Sequence, residues 1–286
     1  MWVWAKPSLM IARVISAMVG VPLVMGAVWA GLPWLSLLAA AAAVLGVLEF
    51  YRMVERGDAR PAVLLGGTWA LLLIFSGHQG GWLTPWVLLG GAGATLSWHQ
   101  LSRLVGVPLL AKSAVERRDL KGSLVDWGYT AAGACYIGWA LSLALVLRQE
   151  ARGLEWVLVA LLGTFATDTG AFFTGRAWGK RPLAPTVSPG KTWEGAIGGF
   201  VMGVGITVAL ASWWEMPLSL WERIALGVLI GVFSQVGDLV ESKLKRASGV
   251  KDAGKLIPGH GGILDRLDSV VFALVVVYYF YVWTVR

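Results

Sequence analysis

Nine apolar stretches of 17 to 22 residues recur along the chain, at 11–30, 32–50, 61–77, 82–98, 126–147, 155–174, 193–214, 223–241 and 263–283. Each is close to the ~20 residues that an α-helix needs to cross a bilayer. Inside a bilayer every backbone polar group must find its partner within the protein. A chain with so many such stretches is thereby restricted to a bundle of membrane-crossing helices. Composition agrees, with 57% hydrophobic and only 14% charged residues, where a soluble domain carries about a quarter charged. The 17 tryptophans fit as well, because Trp gathers where bilayer meets water. The expected fold class is all-α: a polytopic integral membrane protein of about nine transmembrane helices. The first stretch is longer than the apolar run of a signal peptide and no A-x-A site follows it, so it reads as a retained span. No repeat or linker divides the chain. Residues 1–286 therefore read as a single membrane domain, with N-terminal spans over 1–150 and a motif-bearing region over 151–286.

The net charge is +7, but the placement of the charges matters more than their sum. If the spans alternate, 20 Lys and Arg fall on one side. Only Arg148, Arg152, Arg223 and Arg286 fall on the other, which completes the 24 in the chain. By the positive-inside rule the first side is cytoplasmic, with the N-terminus there and the C-terminus outside. The charge thus serves topology and calls for no nucleic-acid partner. The expected location is a bacterial inner membrane, with the bilayer itself as partner. The single cysteine, Cys135, lies in an apolar stretch and reads as packing.

Polar chemistry clusters at the cytoplasmic side. The eighth stretch ends SQVGDLVESKLKR, which puts Asp238, Glu241, Ser242 and Lys245 on one helical face. An aspartate within a span is costly and usually faces a polar cavity. The ninth stretch opens GGILDRLD, with Asp265 and Asp268 one turn apart. Three aspartates on successive helices suit a hard cation such as magnesium, with room for a second ion. Asp238 and Asp265 are the expected principal ligands and Asp268 a supporting one. On this reading Asp238 and Asp265 repel each other when no cation lies between them. The competing reading is structural ion pairing with Lys245, Arg246 and Arg266. The connection ASGVKDAGKLIPGHGG brings Lys251, Asp252, Lys255, His260, Gly261 and Gly262 beside the carboxylates, and its glycines let backbone approach an anion closely.

A second cluster follows the sixth stretch, DTGAFFTGRAWGKRPLAPTVSPGKTWEG, with Asp168 inside the span. PGKT looks like the end of a P-loop. That motif needs glycine where Pro185 stands, and no strand is expected before it. Ser188, Lys191 and Thr192 are instead expected to help hold phosphate at the start of the seventh span. Glu194 either caps that helix or faces the metal site.

These segments resemble the phosphatidate cytidylyltransferase family, the CDP-diacylglycerol synthases. The span SKLKRASGVKDAGKLIPGHGGILDRLD, 242–268, carries the family pattern S-x-x-K-R, K-D and P-x-H-G-G-x-x-D-R-x-D at every polar position. The upstream motif departs once, with Gly190 where the family often has lysine. The motif-bearing resemblance covers about 164–270. It implies that CTP and phosphatidic acid react to CDP-diacylglycerol and pyrophosphate with Mg2+, in a homodimer. It further implies catalytic roles for Asp238, Asp265 and Lys245, and phosphate or headgroup contacts from Ser242, Arg246, Lys251, Asp252, His260, Arg266 and the glycines. A CTP-dependent lipid kinase and a membrane transporter are the alternatives. The kinase would release CDP. The transporter would string charges through the bilayer and show repeats.

Overall fold

The computed structural model describes residues 7–105, 120–254, 256 and 261–286. It is built from helices α1 (Pro7–Ala30), α2 (Trp34–Glu55), α3 (Val63–His78), α4 (Thr84–Val105), α5 (Leu120–Gly133), α6 (Ala140–Gln149), α7 (Gly153–Trp178), α8 (Trp193–Trp213), α9 (Leu220–Ala247) and α10 (Leu264–Thr284). A π-helical turn, Ala134–Trp139, joins α5 and α6 into one rod, Leu120–Gln149. Each of the nine apolar stretches overlaps one rod. Among the described residues six helices are long and apolar enough to cross a membrane, consistent with an all-α membrane protein. α3 is only 16 residues long, about 24 Å at 1.5 Å per residue.

One element departs from the all-helical expectation. Pro182–Ala184 (β1) and Ser188–Thr192 (β2) form an antiparallel hairpin with Pro182 opposite Thr192. Three prolines and Gly190 within 182–192 disfavour a helix there. A strand therefore does precede PGKT, contrary to expectation. PGKT itself lies in β2 rather than in a phosphate-cradling loop, so the P-loop reading still fails.

The core forms where α2, α6, α7 and α10 meet, around Val47, Leu145, Trp156, Leu274 and Val277, all buried. Trp156 meets Tyr281 edge to face at 5.3 Å. Gly199 and Gly203 bring α8 directly against Thr167 of α7, the close approach that small residues permit between membrane helices. Trp29, Trp34, Trp82, Trp86, Trp213, Trp221 and Trp283 are exposed near one set of helix ends, and Trp178 and Trp193 near the other. Two such girdles are the interfacial pattern of Trp.

The four cations on the sparsely charged side each have a local use. Arg148 donates to the carbonyls of Val28 and Trp29 at the end of α1. Arg152 donates to those of Trp214 and Glu215 after α8. Arg223 reaches the Met216 carbonyl at 3.2 Å, and Arg286 pairs with Glu150 at 3.3 Å. Cations at helix C-termini satisfy orphan carbonyls and oppose the helix dipole.

Candidate active site

α9 supplies the spine of the site. Ser219 and Glu222 close its N-terminus in a capping box, and the helix runs on to Ala247, past the expected end of its span. Asp238, Glu241, Ser242 and Lys245 therefore stay in helical register. Ser242 Oγ donates to Asp238 Oδ1 at 3.3 Å. Gly237 has no side chain to hold α9 off the Asp268 carbonyl of α10, and the two helices close on each other there.

Lys245 is the electrostatic knot. Its ammonium lies 3.1 Å from Glu241 Oε1 and 2.8 Å from Asp265 Oδ1, with all three side chains largely buried. Asp265 also accepts from Gly262 N at 2.7 Å and from Ala253 N at 3.2 Å. Its carboxylate thus ties two points of the connection between α9 and α10, Ala253 and Gly262. The expected repulsion between Asp238 and Asp265 does not arise in this arrangement. Asp265 is compensated by Lys245, and Asp238 is ion-paired with Lys191.

Asp268, one turn further along α10, has a different setting. Its Oδ1 accepts from Ser269 N, a neighbour in its own helix, at 2.7 Å, and it lies in the field of Asp238 and beside Glu241. Asp168 of α7, exposed along its helix, lies in the fields of Asp268, Asp238, Lys191 and Arg266. Asp168, Asp238, Asp268 and Glu241 therefore form one acidic cluster at the meeting of α7, α9 and α10, with Asp168 exposed and Glu241 buried. Asp168 and Glu241 are additions to the expected site. The signal for both was an acid inside an apolar stretch.

The hairpin closes one side of this cluster. Arg246 Nε donates to the Val187 carbonyl of the hairpin turn at 3.1 Å. Glu194 Oε2 accepts from Lys180 N and Arg181 N at 3.1 and 3.2 Å, so it anchors the hairpin's base. Thr192 caps α8 by accepting from Gly195 N at 3.1 Å. Ser188 is half-buried in β2, and Lys251, Asp252 and Arg266 are exposed. His260 and Lys255 fall outside the described residues.

Glu49 of α2 went unnoticed in the sequence. It is buried, and its Oε2 accepts from Leu264 N at 2.9 Å, capping the first turn of α10. Any side chain at Gly254 or Gly262 would overlap this carboxylate. Two motif glycines are therefore the contact surface for an acid of the N-terminal half, 215 residues from its hydrogen-bond partner.

Among the described residues no three His, Cys, Asp or Glu side chains are closed into a ready metal cage. The donor set still fits a hard cation. It offers carboxylate oxygens near cationic side chains, and magnesium commonly takes only one or two protein carboxylates and completes its shell with phosphate and water.

An acidic cluster edged by cations, at one end of a bundle of apolar helices, defines a class of membrane protein: one whose binding chemistry suits a phosphate-bearing ligand accompanied by a cation. The chain matches the cytidylyltransferase family over residues 11–284, and it belongs to that family. It is 37% identical to the phosphatidate cytidylyltransferase of Staphylococcus haemolyticus over 183 residues, which is 64% of this chain and 70% of the relative. It is 33% identical to that of Staphylococcus aureus (strain COL) over 211 residues, 74% of this chain and 75% of the relative.

Proposed function

We propose that this chain transfers the cytidylyl group of CTP to phosphatidate, giving CDP-diacylglycerol and pyrophosphate, at the cytoplasmic face of a bacterial inner membrane. The observation that carries this reading is the convergence of α7, the hairpin, α9 and α10 on one cluster. Its residues, Asp168, Lys191, Asp238, Lys245 and Asp268, are scattered over 100 positions of the sequence. Family membership supplies the reaction class.

In the reaction a phosphate oxygen of the lipid attacks the α-phosphorus of CTP. A new P–O bond forms, the bond to the bridging oxygen of the β-phosphate breaks, and pyrophosphate carries away the electron pair. The attacking oxygen is already anionic, so no strong base is needed. Bound magnesium would neutralise phosphate charge and favour the in-line geometry. Asp238 and Asp268 would hold it, with Asp168 behind them. Lys191, paired with Asp238 before substrate arrives, would exchange that partner for a nucleotide phosphate. Asp265 keeps its partners and acts by holding the loop. Arg266 and Lys251 add positive charge at the rim. The homodimer implied by the family resemblance is testable by cross-linking in the membrane.

Purified protein, radiolabelled CTP and phosphatidate test the reaction. Label in the lipid phase with one pyrophosphate per lipid is expected, and CDP release with phosphorylated lipid would replace this reading by the kinase. Lys191→Ala is expected to raise the KM for CTP more than that for phosphatidate, since it removes a cationic phosphate contact. An unchanged KM for CTP in a folded variant removes Lys191 from the nucleotide site. A Cβ at Gly190 meets no atom within 4 Å and the residue is exposed, so Gly190→Lys is expected to fold normally.

Nine crossings, with the side rich in Lys and Arg cytoplasmic, would leave the N-terminus in the cytoplasm and the C-terminus outside. A periplasmic reporter fused after Arg286 is expected to be active. Activity of a cytoplasmic reporter at the same position instead means an even number of crossings.

A further inference from the structure

A cavity of about 580 Å³ lies between the π-helical turn, α9 and α10. Its walls are apolar except at one end, where Glu241 of the acidic cluster forms part of the lining. Tyr136, also in the lining, lies in the fields of Glu241, Asp268 and Asp238. Its hydroxyl is buried with no hydrogen-bond partner among the described residues. Along α9 the cavity extends from Leu244 to Phe233, a rise of about 16 Å at 1.5 Å per residue. That is close to one leaflet of a hydrocarbon core about 30 Å thick.

We propose that this cavity is the slot for one acyl chain of the lipid substrate, with the Tyr136 hydroxyl held for an ester carbonyl of its glycerol backbone. The inference rests on the reading of the cluster as a phosphatidate site. Three features select this occupant. The slot begins at the acidic cluster, so a lipid whose phosphate sits there reaches it directly. Its depth matches a chain of the same leaflet. Its polar end offers a buried hydroxyl donor, which an ester satisfies and the apolar face of a second protein copy does not. The π-helical turn supplies the shape. π-Turns mark functional sites more often than chance, and this one brings Cys135, Tyr136 and Trp139 into the lining.

Val276, at the end of the slot away from Glu241, is half-buried and accepts a filling substitution. Val276→Trp is expected to lower the ratio of kcat/KM for dioleoyl to that for dihexanoyl phosphatidate about tenfold or more, because only the long chain loses buried methylenes. Tyr136→Phe is expected to raise the KM for both lipids several-fold and to leave that for CTP in place. The wild-type protein gives a measurement free of folding effects. Phosphatidate with a photoactivatable diazirine at its chain end is expected to label Ala134–Trp139 and residues 271–276. Excess phosphatidate should remove the label and phosphatidylcholine should not. An unchanged ratio in folded Val276→Trp, or a label that phosphatidylcholine removes equally, overturns the slot. Absence of CDP-lipid formation by the wild-type protein overturns the underlying reading instead, and the labelling pattern still judges the slot.

Discussion

Asp268→Asn is expected to fold as well as the wild type and to lose at least ~10²-fold in turnover, while Asp265→Asn is expected to lose stability first. The two residues are one turn apart and their environments are opposite. Asp268 accepts from Ser269 N and, at 3.4 Å, Ser269 Oγ, both in its own helix, and it lies beside Asp238 and Glu241 with Lys245 further contributing. Removing its charge relieves repulsion in the resting protein. It also removes a ligand from the cation that would stabilise the transition state, a loss on the order of 3 kcal/mol. Asp265 is surrounded by donors: Lys245, Gly262 N and Ala253 N. Its amide cannot accept as strongly from an ammonium and offers an N–H₂ where only acceptors fit. The cost is about 1–3 kcal/mol of stability, the scale for a compromised buried hydrogen bond. Asp238→Asn should lose turnover as Asp268→Asn does, and the Asp238→Asn/Asp268→Asn double variant should be little worse than either, because on the proposed reading the two would serve one ion. Thermal melting and turnover measured on the same samples separate these outcomes. Near-normal turnover in folded Asp268→Asn removes it from the metal site. Wild-type stability in Asp265→Asn removes its role as the loop's tie.

Local patterns explain what could be read in advance. Apolar length and turn spacing are properties of neighbouring residues, so the helical rods and the shared face of Asp238, Glu241 and Lys245 were visible. Spacing also showed that Asp265 and Asp268 share a face of α10. It could not show that Asp265, in the first turn, would be drawn back to N–H groups before the helix, as acids in that position often are. That choice depends on the path of the connecting loop. The hairpin escaped because strands of three and five residues, interrupted by prolines, carry no alternation to detect. Lys191 meets Asp238 only because that hairpin folds back onto α9, and nothing in the intervening residues announces the return.

Glu49 joins the two halves of the chain through a buried hydrogen bond to Leu264 N, and replacing it is expected to damage the site from a distance. In Glu49→Ala the Leu264 N–H is left buried without its acceptor, at a cost of about 1–3 kcal/mol. A void also opens against Gly254 and Gly262, on both flanks of the loop that Asp265 ties. The start of α10 then loses its fixed position relative to α9, and Asp268 loses its setting opposite Asp238. Turnover is expected to fall about 10-fold or more, since small misplacements of catalytic groups are costly. Glu49→Gln keeps an acceptor for Leu264 N and nearly the same volume, so it should recover most of the stability. A purely structural residue predicts that stability and turnover fall together and recover together. The positioning role adds a sharper expectation. In Glu49→Ala the magnesium concentration needed for half-maximal rate should rise, at temperatures where the protein remains folded, and Glu49→Gln should bring it back towards the wild-type value. A magnesium dependence unchanged in folded Glu49→Ala would show that α2 supports the loop without setting the geometry of the acidic cluster.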